Sequence, residues 1–94
     1  MEILFSSNAK TDLSNIVRYI SRDKPQAARK WAKNIKDSVK LLANLPYMGR
    51  IVPEFSDDTI RELIKGQYRV VYKIDEKRDT IVILTVHHSK RPLV

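Results

Sequence analysis

Residues 61–74 read RELIKGQYRVVYKI, and their alternation decides the class of fold. Over 59–65, Ile60, Glu62 and Ile64 alternate with Arg61, Leu63 and Lys65, the period of a strand. Over 68–75, Tyr68, Val70, Tyr72 and Ile74 alternate with Arg69, Val71 and Lys73, in a run rich in Val, Tyr and Ile. Gly66-Gln67 between them is a two-residue turn, and glycine in its first position suits the II′ type. So short a turn joins only antiparallel strands. A charged turn at 76–79 leads to a β-branched strand at 80–87, and 89–94 is a short basic tail. The C-terminal half is therefore expected to be a three-stranded antiparallel meander. Strict alternation on its last strand separates Ile81, Ile83, Thr85 and His87 from Val82, Leu84, Val86 and His88. Both sets are partly apolar, so the pattern leaves open which one faces the core.

Upstream of the meander the period changes. Residues 46–58 hold Pro46, Gly49, Pro53, Asp57 and Asp58, all turn formers, and read as a loop. Ala28, Trp31, Ile35, Ser38, Leu42 and Leu45 recur at intervals of three and four, which predicts a long helix over 25–45. Pro25 suits its first turn, and Pro46 stops it. Its opposite face is basic, with Arg29, Lys30, Lys33, Lys36 and Lys40. Ala9, Leu13, Ile16, Val17 and Ile20 form a second stripe and predict a helix over 9–20, with Lys10, Asp12, Asn15 and Arg18 on its solvent side. Ser6, Ser7 or Asn8 can cap it. Residues 1–6 read as a short strand. The link at 21–24 is tight, so the helices form an antiparallel hairpin. The expected fold is α+β, in the order β-α-α-β-β-β, as a single domain over 1–94. The hairpin covers one face of the sheet, and the other is left for water or a partner.

Composition limits the function. The chain has 94 residues, 43% of them hydrophobic, and 18 Lys and Arg against 11 Asp and Glu, a net charge of +7. Such a balance favours an anionic partner: nucleic acid, a ribosome or an acidic protein. Cysteine is absent, so disulfide and thiol chemistry are excluded. No apolar run is long enough to span a membrane, and residues 1–5 lack the basic start of a secretory signal, so a cytoplasmic location is expected.

Arg61, Lys65, Arg69, Lys73, Lys90 and Arg91 place cations along the strands and the tail. They are either an anion-binding surface, with arginine forks aimed at phosphate or carboxylate, or ordinary solvated positions paired with Glu62 or Asp75. His87 and His88 are the only histidines. One imidazole can act as a general acid or base near neutral pH, and the plainer role is a surface contact. Neither Cys nor a third His exists, and Glu62 and Asp75 lack ligand spacing, so no metal is expected. There is no Gly-rich phosphate loop and no Ser/His/Asp arrangement, and no cofactor is expected. Trp31 lies on an apolar stripe and reads as packing.

Residues 61–74 together resemble the signature strand pair of the ParE/RelE toxin superfamily. Leu45-Pro46, Gly49-Arg50 and Val52-Pro53-Glu54 resemble the loop after its helical hairpin, and residues 83–93, ILTVHHSKRPL, its last strand and tail. The resemblance spans nearly the whole chain, in order. It implies the toxin of a type II toxin–antitoxin pair, held inactive by a cognate antitoxin whose extended segment wraps it. RelE-like members are ribosome-dependent ribonucleases that cut messenger RNA, and ParE-like members inhibit DNA gyrase. By position, Arg69 matches an arginine that the ribonucleases use near the scissile phosphate, though it also occurs widely in ParE-like chains. Glu62 falls where some ribonucleases carry a functional side chain, and His87 or His88 near their C-terminal acid or base. The departures point to the ParE branch. No Tyr or Phe follows Tyr72, Ile60 or Arg61 and Glu62 stand where RelE carries a lysine pair, and the helices are long. The resemblance thus implies a gyrase inhibitor, with an endoribonuclease acting through Arg69, Glu62 and His88 as the alternative. Contact residues would be Arg61, Lys65, Arg69, Lys73, His87, Lys90 and Arg91.

Overall fold

The computed structural model describes residues 1–91, so 92–94 of the basic tail lie outside the described residues. The elements are β1 (Glu2–Phe5), α1 (Ser7–Ser21), α2 (Pro25–Leu42), β2 (Arg50–Ile51), β3 (Ile60–Lys65), β4 (Tyr68–Asp75) and β5 (Thr80–His88). They build the expected α+β architecture, with one mixed sheet in the order β1-β5-β4-β3-β2. β3, β4 and β5 form the antiparallel meander, while β1 lies parallel to β5, from Glu2 opposite Thr80 to Phe5 opposite Ile83. Gly66 has φ +59 and Gln67 does not share the positive sign, as a II′ turn requires.

Two segments depart from the pattern by more than a residue or two at an end. The α2 stripe runs to Leu45, yet the helix ends at Leu42. Its last carbonyls are taken by a tightened turn, in which the Ala43 N–H donates to Lys40 O and the Asn44 N–H to Leu41 O. The loop at 46–58 contains β2, whose two residues pair with Glu62 and Arg61. So short a strand carries no legible period.

Val70, Tyr72 and Ile74 of β4 face the helices, with Leu63 of β3 and Ile81, Ile83 and Val86 of β5. They pack on Ala9, Ile35, Val39 and Leu42. The β5 set breaks the expected alternation, because Val71 lies opposite Thr85 but Tyr72 lies opposite Ile83. Leu84 is the extra residue of a β-bulge, and beyond it the two faces exchange. Val86 therefore enters the core where alternation assigns Thr85. His87 moves to the far face opposite Arg69, and His88 lies opposite Tyr68.

A bulge leaves backbone groups without ladder partners, and here α1 supplies them. Ser6 Oγ accepts the Ala9 N–H as the helix cap, at 3.0 Å, and donates to Leu84 O at 2.8 Å. Asp12 Oδ2 accepts from Thr85 Oγ1 at 2.6 Å and from the Val86 N–H at 3.0 Å. Periodicity assigns Asp12 to the solvent face; its carboxylate instead fastens α1 to the bulge.

Candidate functional site

The helices leave the far face of the sheet uncovered, as expected, and a loop lies over part of it while Ile64 and Lys73 on the same face stay exposed. Beside β2, the loop brings Glu54 over β4, and Arg69 beneath it is buried. Arg69 donates from Nε to His87 Nε2 at 3.1 Å. Its Nη1 donates to Glu62 Oε1 at 2.8 Å and Glu54 Oε1 at 3.4 Å, and its Nη2 to Glu54 Oε2 at 2.7 Å and Arg91 O at 2.9 Å. A guanidinium has five N–H groups, and all five are engaged. Glu62 is shared: its second oxygen accepts from Arg50 Nε at 2.6 Å. The Glu62 side chain is fully buried and that of Arg69 is 5% exposed, whereas Arg50 is 62% exposed. The cluster alternates in sign, Arg50, Glu62, Arg69, Glu54, and holds its charges in mutual hydrogen bonds, as burial demands.

His87 closes the cluster. Burial pushes its pKa below the ordinary 6.5, and the cations Arg69 and Arg91 act in the same direction. Its Nε2 lone pair accepts from Arg69, which assigns the proton to Nδ1. The ring is thus neutral near pH 7, with its basic nitrogen already used. A histidine depressed in the folded state stays neutral while the unfolded chain protonates. Stability is then full above about pH 6.5 and falls as the pH drops through that value toward the folded pKa. We expect the melting temperature to decline between about pH 7 and pH 5. His87→Gln, whose amide oxygen can still accept from Arg69, should flatten that decline; an unchanged slope in thermal melts would sink the assignment. Asp57, whose pKa is lowered by hydrogen bonds from Thr59, acts in a separate window below about pH 4.

The other sequence-derived candidates are not gathered here. His88 lies edge-on to Tyr68, ring centroids 5.7 Å apart, and its Nδ1 accepts the Lys90 N–H. Lys73 shares the Arg69 face but is exposed beyond the cluster. Arg61 and Lys65 lie on the helix side of β3, with Leu63. Arg61 donates to Asp58 O at 2.8 Å and Gly49 O at 3.1 Å, and stacks 5.0 Å from the Tyr47 ring. Lys90 is exposed, and Arg91 contributes its carbonyl. Sequence reasoning assigned no role to Arg50 or Glu54; both stand in the quoted loop, but only the fold brings that loop to Arg69. Among the described residues no group of His, Asp and Glu is placed to hold a metal ion. No helix among them is long and apolar enough to cross a membrane.

A second feature lies at the opposite edge. A groove of about 390 Å³ runs between α1, α2 and β1. Ile3, Phe5, Leu13, Val17, Ala32, Ile35 and Val39 line it, with the exposed Lys36 and Lys40 alongside. β1 is an edge strand, so the groove adjoins a strand with a free side.

The comparisons with known proteins agree with this architecture. Among solved structures, the chain is similar to the chromosomal ParDE system of P. aeruginosa, at 21% identity and a TM-score of 0.76, covering 94% of this chain and 95% of that one. It is similar to the RelBE2 toxin–antitoxin complex of Mycobacterium tuberculosis, at 24% identity and a TM-score of 0.66, covering 93% and 95%. The isolated RelE toxin of E. coli shares 12% identity and a TM-score of 0.67, covering 98% and 87%. At these identities the likeness is one of fold. No curated protein matches the chain. A family profile described as the ParE toxin of the type II toxin–antitoxin system parDE matches residues 3–93. With its helical hairpin, mixed sheet and profile match over nearly its whole length, the chain belongs to the ParE toxin family.

Proposed function

We propose that this toxin acts by binding and inhibiting DNA gyrase, and that a cognate antitoxin neutralises it in the cytoplasm. The observation that carries the gyrase reading is the saturation of Arg69. A ribonuclease needs donors free to meet a phosphate and an acid or base free to move a proton. Arg69 has no N–H to spare, Glu62 is held between two arginines, and the basic nitrogen of His87 is engaged. Those groups do structural work, and the remaining way to poison an enzyme is to bind it.

The groove supports the antitoxin. Apolar walls, two exposed lysines and a free strand edge suit an amphipathic acidic segment, packed by its apolar side or added as a strand. The test is a supercoiling assay with purified gyrase. Inhibition with cleaved DNA, relieved by the acidic product of the adjacent reading frame, is the expected result. No effect at micromolar toxin, with cuts in ribosome-bound messenger RNA, would replace gyrase inhibition by ribonuclease activity. Failure of the acidic product to relieve inhibition would remove the antitoxin assignment.

A further inference from the structure

The sheet has a second open edge, on the far side from the groove. β2 covers β3 only at Arg61 and Glu62, and among the described residues no strand pairs with the outer side of 63–65. A free edge is normally blunted by charge, proline or a covering element. Here it also displays apolar side chains: Ile51 is 43% exposed and Ile64 46%. Arg50 shares the face of Ile64, and the half-buried Lys65 that of Ile51. The only carboxylate of β3, Glu62, is buried and already shared by Arg50 and Arg69. The edge is therefore apolar and positive, with strand groups unpaired.

We propose that the open edge of β3 at 63–65, in line with β2, docks an extended acidic segment of the toxin's protein target, added to the sheet as a further strand. The target role rests on the gyrase reading; the peptide chemistry does not. Strand addition takes affinity from main-chain hydrogen bonds and specificity from alternate side chains. Arg50 and Ile64 share the far face and Ile51 and Lys65 the helix face, so each face of the added strand would offer one acidic and one apolar position. A second copy of this chain fits poorly, because like cations would face each other across the new pairing. Nucleic acid fits poorly too, since its interfaces are polar and make little use of exposed Ile. The added strand, in line with β2, lies four strand spacings from β1, roughly 19 Å, so it is distinct from the groove assigned to the antitoxin.

The probe is a fluorescent peptide of about eight residues repeating Glu-Glu-Val-Val, so that each face carries both Glu and Val, with a Lys-Lys-Val-Val repeat as control. Anisotropy should show the acidic peptide binding the intact protein and the basic one not. The double variant Ile51→Asp, Ile64→Asp should bind at least about tenfold more weakly, with an unchanged melting temperature. Amide shifts on binding should fall on Ile51 and residues 63–65. Equal binding of both peptides, wild-type affinity in the double variant, or shifts confined to β1 would overturn the proposal. Should the double variant melt early, Lys65→Glu reads the same charge preference in an intact fold, and wild-type affinity there would overturn it as well. In the supercoiling assay the two ideas separate. A toxin without effect on gyrase that still binds the acidic peptide at this edge loses only the gyrase assignment. A double variant that inhibits gyrase like the wild type loses only the edge.

Discussion

Arg69→Ala is expected to cost about 3–5 kcal/mol of folding stability, the range for breaking a buried ion pair from one side. The loss is large because the partners stay behind. Glu62, fully buried, would keep only Arg50, while Glu54, the Arg91 carbonyl and His87 would each lose a donor. Domains of this size have about 5–15 kcal/mol in total, so much of the margin would go. The melting temperature should fall by on the order of 15–30 °C. Arg69→Lys should recover part of the loss, since it restores one charge but three donors on a point cation cannot replace a planar fork of five. Urea denaturation followed by circular dichroism measures both variants; a loss for Arg69→Ala within about 1 kcal/mol would show that the cluster is dispensable to the fold. The consequence for function is direct. A non-toxic Arg69→Ala mutant is to be read first as an unfolded one, and toxicity assays at this residue need the folded fraction measured beside them. His88, outside the cluster, gives the cleaner test of histidine chemistry.

The second large effect is expected at Gly49. A Cβ there would lie 2.6 Å from Tyr72 Oη and 2.7 Å from the Glu62 backbone oxygen, inside van der Waals contact with a buried ring and a central strand. The same site carries a hydrogen bond, because the Gly49 N–H donates to Tyr72 Oη at 3.0 Å while that hydroxyl donates to Pro46 O at 2.8 Å. Gly49→Ala must push the loop off Tyr72 and leave a buried hydroxyl short of a partner, a cost of about 2–4 kcal/mol. Gly66→Ala is the internal comparison. Its φ of +59 penalises any side chain, but nothing lies within 4 Å of the added carbon. Strain alone costs about 1–2 kcal/mol. Chemical denaturation should rank Gly49→Ala as the more damaging; the reverse order would mean that the loop yields freely around Tyr72.

The two glycines show where sequence reading succeeds and where it stops. Gly66 is legible because a turn between two alternating runs is a local matter, and φ follows from the turn type. Gly49 looks like any loop glycine, and its necessity comes from a tyrosine 23 residues away. The site divides the same way. Arg69 was legible as a charged residue on a β face, and Glu62 as its neighbour in the alternation. That Glu54 and Arg50 complete the cluster depends on how a loop with no period of its own lies across the sheet.

By itself the sequence determined the helical stripes, the strand alternation, the turn residues and the order of elements, and with them the α+β class. Each follows from interactions within a few residues, where periodicity reports directly which side chains share a face. Only the tertiary structure decided the faces of β5, the parallel place of β1 and the saturation of Arg69. The bulge at Leu84 is held by Ser6 and Asp12, from 78 and 73 residues away, and one inserted residue exchanges every side chain beyond it. Local periodicity cannot signal that exchange, because the groups that satisfy the bulge belong to another element. His87 reaches Arg69 on this account, and an arginine that the sequence leaves open between anion binding and pairing becomes the buried centre of the polar cluster.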